Sequence, residues 1–587
     1  MPLRWVVSCM WAFCAVLLST GRAAATEADP IHYRPATGSL ADTIPLYFQN
    51  QYHVFYLHAG VTGTPWEHIV SSDLIHWTEL PTALVPDGDD PQGPNGGNMF
   101  TGSVIERQGT YHLFYTGHNP NNPNGMEFVC HATSPDGIAW TKHPEYTFGA
   151  DGVHYQAKSD FRDPYVFWNE SAQCFWMLLC AREAATGNPA QGLARSTDLV
   201  TWEQLDPLVF SPSLTGTPEC PDLFKCGSTW YLLHSPSAGT TDVRWSKELS
   251  GPWQRPEPYS IDTSILYAAK RMTDGKRHVL TGWLRDLSGD TDNGGGLWGG
   301  TQCLPREAYE GPNGQLYFRP VDEVVAVYSN VYSETQTAVS PAVPFVMDAP
   351  DSYLLDCRVQ LGAQSEFTVS FRLQDDGATA YYLTVRPAQG TAEIGGPGYS
   401  SSRSCFVDTT KPVKIQAFVQ GSIIECFINE QYAFSRRAYL LTRGRLGLSV
   451  AGAGAEVKSL RIRTPSRIAI DPTLKGMPGV LTFRSNLTLA PSAVLYYDYT
   501  AQTADTVRVE GALTVQGHNT VNLTSANGDP PPRRMTLFTF GSLNGAEHVN
   551  GWGVQGEGLL DYRACLSYDA VGIYLRLVRD GTVLLVR

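Results

Sequence analysis

The sequence predicts an all-β protein: a five-bladed β-propeller, then a β-sandwich, then an additional C-terminal β module. Three observations lead there. A strand-like unit recurs five times in the first half of the chain, at 52–56, 111–115, 174–178, 229–233 and 276–280. No helical periodicity separates the copies. The composition favours turns over charge, with 55 Gly, 39 Pro and 17% charged residues among 587. That excludes a coiled coil or a disordered acidic chain. Repeats spaced by roughly fifty to sixty residues suit propeller blades; an open β-solenoid, the alternative, has shorter repeats.

Residues 1–25 read as a signal peptide. Arg4 supplies the positive start, an apolar run from Trp5 to Leu18 follows, and Ala23-Ala24-Ala25 offers a cleavage site. The run is too short for a membrane span, and no later stretch is long and apolar enough. The mature chain is expected to be secreted or periplasmic. The net charge is −14 without a Lys/Arg-rich run, which argues against nucleic-acid binding.

The propeller is expected over 29–325. Aromatic and β-branched residues dominate the five repeats, as half-buried strands require. A second motif follows at least three of them: Ser72-Asp73-Leu74-Ile75-His76-Trp77, Ser134-Pro135-Asp136-Gly137-Ile138-Ala139-Trp140 and Ser196-Thr197-Asp198-Leu199-Val200-Thr201-Trp202. Each reads as a turn with a Trp entering the next strand. Asp73, Asp136, Asp198 and the three Trp are therefore read as structural, as are His53 and His112. The sandwich is expected over 326–465, where strands such as 367–372 and 381–385 alternate with turns and no repeat is visible. Prolines at 465 and 472–478 mark a boundary, and a β module of unknown role fills 466–587. Most cysteines lie in apolar strand-like runs, where a free thiol packs as a small hydrophobe. No C-x-x-C pair or zinc-type Cys/His cluster occurs, so no metal is expected.

The innermost strand of a propeller blade lines the central channel and precedes the next strand by about ten residues. Those positions hold Asp42, then Phe100-Thr101-Gly102-Ser103, Arg162-Asp163-Pro164, Glu219-Cys220-Pro221-Asp222, and 264–267. Three of the five strands thus bring a carboxylate to the axis. Gathering ionised carboxylates in one channel costs stability, whereas hydrolysis of a glycoside needs two carboxyl groups with separated protonation states. Each carboxylate alone could be a hydrogen-bonded strand-end residue; three at equivalent blade positions favour chemistry.

These motifs resemble glycoside hydrolase family 32, the invertases, inulinases, levanases and fructan exohydrolases. Phe100-Thr101-Gly102-Ser103 is similar to the family's F-S-G-S strand, Arg162-Asp163-Pro164 to its R-D-P motif and Glu219-Cys220-Pro221 to its E-C-P motif. The matches run in order from about residue 31 to Glu307. The resemblance implies Asp42 as nucleophile, Glu219 as general acid/base and Asp163 as transition-state stabiliser, with Arg162 beside it. Trp66, Phe100 and Ser103 match sugar-contacting positions, Trp66 and Trp283 being readable equally as core residues or sugar platforms, and Cys220 is read as a buried neighbour that tunes Glu219. It implies retention of configuration and no cofactor or metal. Glu219 is expected to be protonated, with apolar or anionic neighbours. Two family amides are replaced, by Ala41 and Leu57. The function implied is release of terminal β-fructofuranosyl units from sucrose, inulin- or levan-type fructans. The alternatives are a propeller glycosidase on another furanoside, such as an arabinoside, and a non-catalytic glycan-binding propeller.

Overall fold

The computed structural model describes residues 31–579 apart from 88–92, 94–96, 158–159, 211–213, 215, 237–238, 288–291, 293–297, 466–479, 484–486, 490–493, 500–503, 505, 526–529, 531, 533 and 557–561. The expected signal peptide and the prolines at 472 and 478 lie outside the described residues.

The chain is all-β with few helical turns. Its first part consists of successive antiparallel sheets. They are β1 (Ser39–Phe48), β2 (Gln51–Ala59), β3 (Trp66–Ser71) and β4 (Thr78–Leu84); β5 (Asn98–Arg107), β6 (Thr110–His118), β7 (Glu127–Ser134) and β8 (Thr141–Lys142); β9 (Arg162–Asn169), β10 (Cys174–Arg182), β11 (Pro189–Ser196) and β12 (Glu203–Phe210); and β13 (Pro218–Cys226), β14 (Thr229–Pro236) and β15 (Asp242–Ser246). The last group is β16 (Leu266–Thr273), β17 (His278–Arg285), β18 (Gly300–Gln302), β19 (Arg306–Glu310) and β20 (Leu316–Pro320). β18 pairs with both β17 and β1, so hydrogen bonds join the last group to the first. Gly300 makes this possible: a Cβ there would lie 1.8 Å from the Leu284 carbonyl oxygen. The first strands of the five groups are neighbours in the order β1, β5, β9, β13, β16, and β16 packs against β1.

The Ser-x-Asp motifs are turns, as the sequence suggested. Asp73 Oδ1 accepts the Ile75 and His76 amides, Asp136 Oδ1 those of Ile138 and Ala139, and Asp198 Oδ1 those of Val200 and Thr201. In the first copy the partner serine is Ser71, not Ser72: its Oγ accepts the Asp73 amide. The motif tryptophans lock adjacent sheets together. Trp140 packs edge-on against Phe55, centroids 5.9 Å apart, and Trp202 against Phe114 at 5.6 Å.

A short helix, α1 (Asp322–Val327), crosses the expected boundary at 325/326, and its Val324 and Val327 are buried in the core of the first part. Two six-stranded antiparallel sheets follow, with their own apolar core. A buried charge network ties this sandwich to the propeller part. Arg306 donates to Asp262 Oδ2 (2.5 Å) and to Glu425. Glu425 Oε1 also lies 2.9 Å from His32 Nε2 and accepts the Leu304 amide, while Ser435 donates to Asp262 through its amide and hydroxyl. Arg306, Asp262 and Glu425 are each 1% exposed. Removing one member of such a group strands charge in low dielectric. Arg306→Met is expected to destabilise the fold by about 3–5 kcal/mol, seen as a lower midpoint in urea; an unchanged midpoint would show the network to be dispensable.

The C-terminal segment differs from the sheets before it. Its strands pair in parallel: Val480–Phe483 with Thr506–Val515 and that with Arg534–Asn544, and likewise Val494–Tyr499 with Thr520–Ser525 and that with Gly553–Gly556. Tyr562–Tyr568 and Gly572–Arg579 form an antiparallel hairpin on the last coil. Inward residues such as Leu513, Val521, Leu537 and Ile573 make a separate core.

Candidate active site

The first strand of each of the five groups breaks register once. The shift falls between Ala41 and Ile44 in β1, between Phe100 and Gly102 in β5, opposite Leu178/Cys180 in β9, between Glu219 and Asp222 in β13, and between Tyr267 and Lys270 in β16. These are β-bulges. Asp42 (φ 32°), Asp163 (φ 59°), Cys220 (φ 51°) and Ala268 (φ 50°) all occupy the left-handed region, which costs energy for residues with a Cβ. In β5 the corresponding crowding is met by Gly102, whose Cβ would lie 1.8 Å from the Phe114 carbonyl oxygen.

The bulges have a geometric result. In a regular strand, residues two apart share a face; one extra residue makes it three. Asp42, Asp163, Glu219 and Tyr267 thus meet in one site. The residues three positions later, Pro45, Val166, Asp222 and Lys270, line a distinct cavity of about 210 Å³, with Ser103 from β5.

Within the site Asp42 and Asp163 are buried, at 6% and 3% exposure. Trp283 Nε1 donates to Asp42 Oδ1 at 3.0 Å. The Cys220 amide donates to Asp163 Oδ2 at 2.8 Å, and the Asp163 amide donates to Thr116 Oγ1 at 2.8 Å. Arg162 Nη2 donates to Glu219 Oε1 at 2.8 Å, and the Tyr267 hydroxyl donates to Glu219 Oε2. Burial pushes Asp42 up to about 6; the Trp283 hydrogen bond and the Lys270 charge pull it down, and Glu219 pushes it up. Burial likewise raises Asp163 to about 7, opposed by Arg162 and reinforced by Glu219 and Asp42. The three carboxyl groups therefore act on one another, and protonation of one is coupled to the charge of the rest.

Several expected residues serve differently from the reading above. Arg162 forms its ion pairs with Glu219, Glu127 and Asp160, and acts on Asp163 through its charge. Glu219 therefore has a cationic and a hydroxylic neighbour in addition to the anionic Asp42 and Asp163. Trp66 is 0% exposed, and its Nε1 donates to the Phe100 carbonyl at 3.1 Å, holding β5 rather than presenting a face. Ser103 Oγ accepts the Val166 amide at 2.9 Å. Phe100 is half-buried and stacks on His118, centroids 4.4 Å apart. Cys220 is buried and meets Asp163 through its backbone. Tyr267 and Lys270 were not among the expected site residues, and Trp283 was equally readable as a core residue or a sugar platform. Tyr267 stands at the inner position of the fifth strand, where a search for carboxylates passes it over. Among the described residues no group of three or more His, Cys, Asp or Glu could hold a metal ion.

Comparison with known proteins bears on this arrangement. The family model for the glycosyl hydrolases family 32 N-terminal domain matches residues 32–320, the span that contributes every residue of the site. The chain belongs to glycoside hydrolase family 32. The family member described here is accordingly a glycoside hydrolase. It is 28% identical over 448 residues to raffinose invertase of Escherichia coli, covering 70% of this chain and 88% of that protein. It is 26% identical over 515 residues to levanase of Bacillus subtilis, covering 78% and 72%. Among solved structures, fructan 1-exohydrolase IIa from Cichorium intybus shares the fold, propeller followed by sandwich, with a TM-score of 0.63 over 74% of this chain and 97% of that one, at 18% identity. Exo-inulinase from Aspergillus awamori gives 0.62 over 74% and 98%, at 17% identity.

Proposed function

We propose that this family 32 enzyme is an exported β-fructofuranosidase that releases terminal fructose units with retention of configuration. The observation that carries this is the meeting of Asp42, Asp163 and Glu219 on three bulged inner strands, with Arg162 and Tyr267 both bonded to Glu219. Asp42 attacks the anomeric carbon from its fixed position under Trp283. Glu219 gives a proton to the departing oxygen and later takes one from water. Asp163, deepest of the three, accepts hydrogen bonds from sugar hydroxyls. Sucrose, inulin or levan is the substrate class, in keeping with relatives named invertase and levanase. The apolar segment before Ala25 directs export. The five groups of inner and outer strands act as five blades, the sandwich braces them, and the segment after Pro465, with parallel strands from Val480 on, forms a separate module.

The test is the sugar released from sucrose, inulin, levan and an aryl arabinofuranoside. Fructose is expected. Arabinose without fructose would support a second reading, which one observation favours: Ala41 and Leu57 face each other directly in the β1/β2 ladder, and both are 0% exposed. They form one apolar patch beside Asp42, and a pocket's buried polar groups strongly govern which sugar is accepted. Release of no sugar at all would favour a glycan-binding propeller. None of the site residues named above comes from the C-terminal module, so a chain ending at Pro465 is expected to keep hydrolysis of small substrates at near the full rate. A folded truncate without that hydrolysis would overturn the assignment of the module.

A further inference from the structure

Below the level of the bulges, the cavity of about 210 Å³ contains one buried ammonium group. Lys270 is 2% exposed and lies on β16, three residues after Tyr267. Its Nζ donates to the Gly102 carbonyl on β5 at 2.7 Å. β16 and β5 are the two inner strands that flank β1. The side chain therefore spans from one flank of β1 to the other, beneath the bulge that carries Asp42. An ammonium has three protons to donate, and a buried one is costly unless negative charge compensates it. Its carboxylate neighbours are Asp42 above and Asp222 beside it in the cavity.

We propose that Lys270 is a positioning residue that keeps Asp42 ionised for attack, and that Asp222 moderates it by sharing its charge. The idea rests on the fructosidase reading given above. Other groups facing Asp42 do not replace it. Glu219 and Cys220 come from β13, Asp163 from β9 and Tyr267 from β16, and none is cationic. Trp283, from β17, gives a neutral hydrogen bond. Arg285, also from β17, lies over the Tyr267 and Trp283 rings and donates to the Gly239 carbonyl. Arg162 is engaged by Glu219, Glu127 and Asp160. The charge of Lys270 favours the Asp42 carboxylate, opposing burial. Asp222 has one carboxylate oxygen on the Arg271 amide, and its charge is shared among the Arg271 guanidinium, the Tyr165 hydroxyl and Lys270.

The experiment is kcat/KM against pH for the parent, Lys270→Met and Asp222→Asn. Asp42 must be ionised to attack, so a group that favours its carboxylate lowers the acid limb. Lys270→Met is expected to move that limb up by about one pH unit, a roughly tenfold loss well below the limb and little above it. Asp222→Asn is expected to move it down. A limb that stays in place, or a loss uniform across pH, would overturn the proposal. If Lys270→Met does not fold, the Asp222→Asn shift decides. The same order is read without substrate from the ¹³C carboxyl titration of Asp42, identified by its absence in Asp42→Asn. An unmoved titration would sink the role of Lys270 even if the substrate proved not to be a fructoside. A moved titration alongside no fructose release would uphold Lys270 and sink the fructosidase reading instead.

Discussion

Alanine in place of Asp42 is expected to remove turnover of every substrate, whatever its leaving group, by at least about 10⁴-fold. The argument is positional. Asp42 sits in a bulge in the left-handed region, with one carboxylate oxygen fixed by Trp283 at 3.0 Å. A carboxylate held in place has little reorganisation left to pay when it attacks. Asp163 is anchored to the Cys220 amide on a different strand and is not expected to take its place. The parent should lose activity as pH falls through about 6, where Asp42 gains its proton. Added azide can attack the substrate directly in the space vacated by the side chain, and the product would then be the inverted glycosyl azide. A retained azide from Asp42→Ala would mean that another group forms the sugar–enzyme bond.

Loss of Glu219 should look different. Glu219→Ala is expected to cost about 10²–10⁴-fold on sucrose, whose leaving group needs a proton. An activated aryl fructoside, which leaves without one, should lose far less. Azide needs no general base, so it should partly restore the variant and give the retained product. The reverse dependence on leaving group would exchange the two roles. Arg162 and Tyr267 both bond to Glu219, so the carboxyl group is aimed as well as placed, and a shortened side chain loses both anchors at once.

The three carboxylates were legible in the sequence because the propeller repeats fix where each inner strand falls, and Asp42, Asp163 and Glu219 occur at those positions. The turn motifs were legible for a local reason: a Ser and an Asp two residues apart can accept the amides of their own turn, whatever surrounds them. Tyr267 and Lys270 were not legible as site residues, and Trp283 was equally readable as a core residue or a sugar platform. Their roles depend on which groups lie across the channel, and the ordinary aromatic and aliphatic pattern of a strand hides them. The register shifts were equally hidden, since one extra residue in a strand leaves no mark in composition. In the C-terminal segment, Leu487-Thr488-Leu489 and Leu513-Thr514-Val515 are paired in parallel. Their similarity was a sign of stacked coils, visible only once spacing is compared within that segment rather than across the whole chain.

The bulges also act as a reading frame. Within each inner strand the chain changes phase once, and everything on the far side of the change depends on that count. Deleting a single residue there, such as Thr43 or Pro221, would restore a straight ladder and rotate one half of the strand to its opposite face. Apolar side chains now packed between sheets would then point into the channel, and channel residues would point into the core. Loops between the sheets can lengthen or shorten without this effect. Insertions and deletions should therefore be tolerated in the connections and lethal to folding at the five bulges, which makes those few residues the least editable part of the chain.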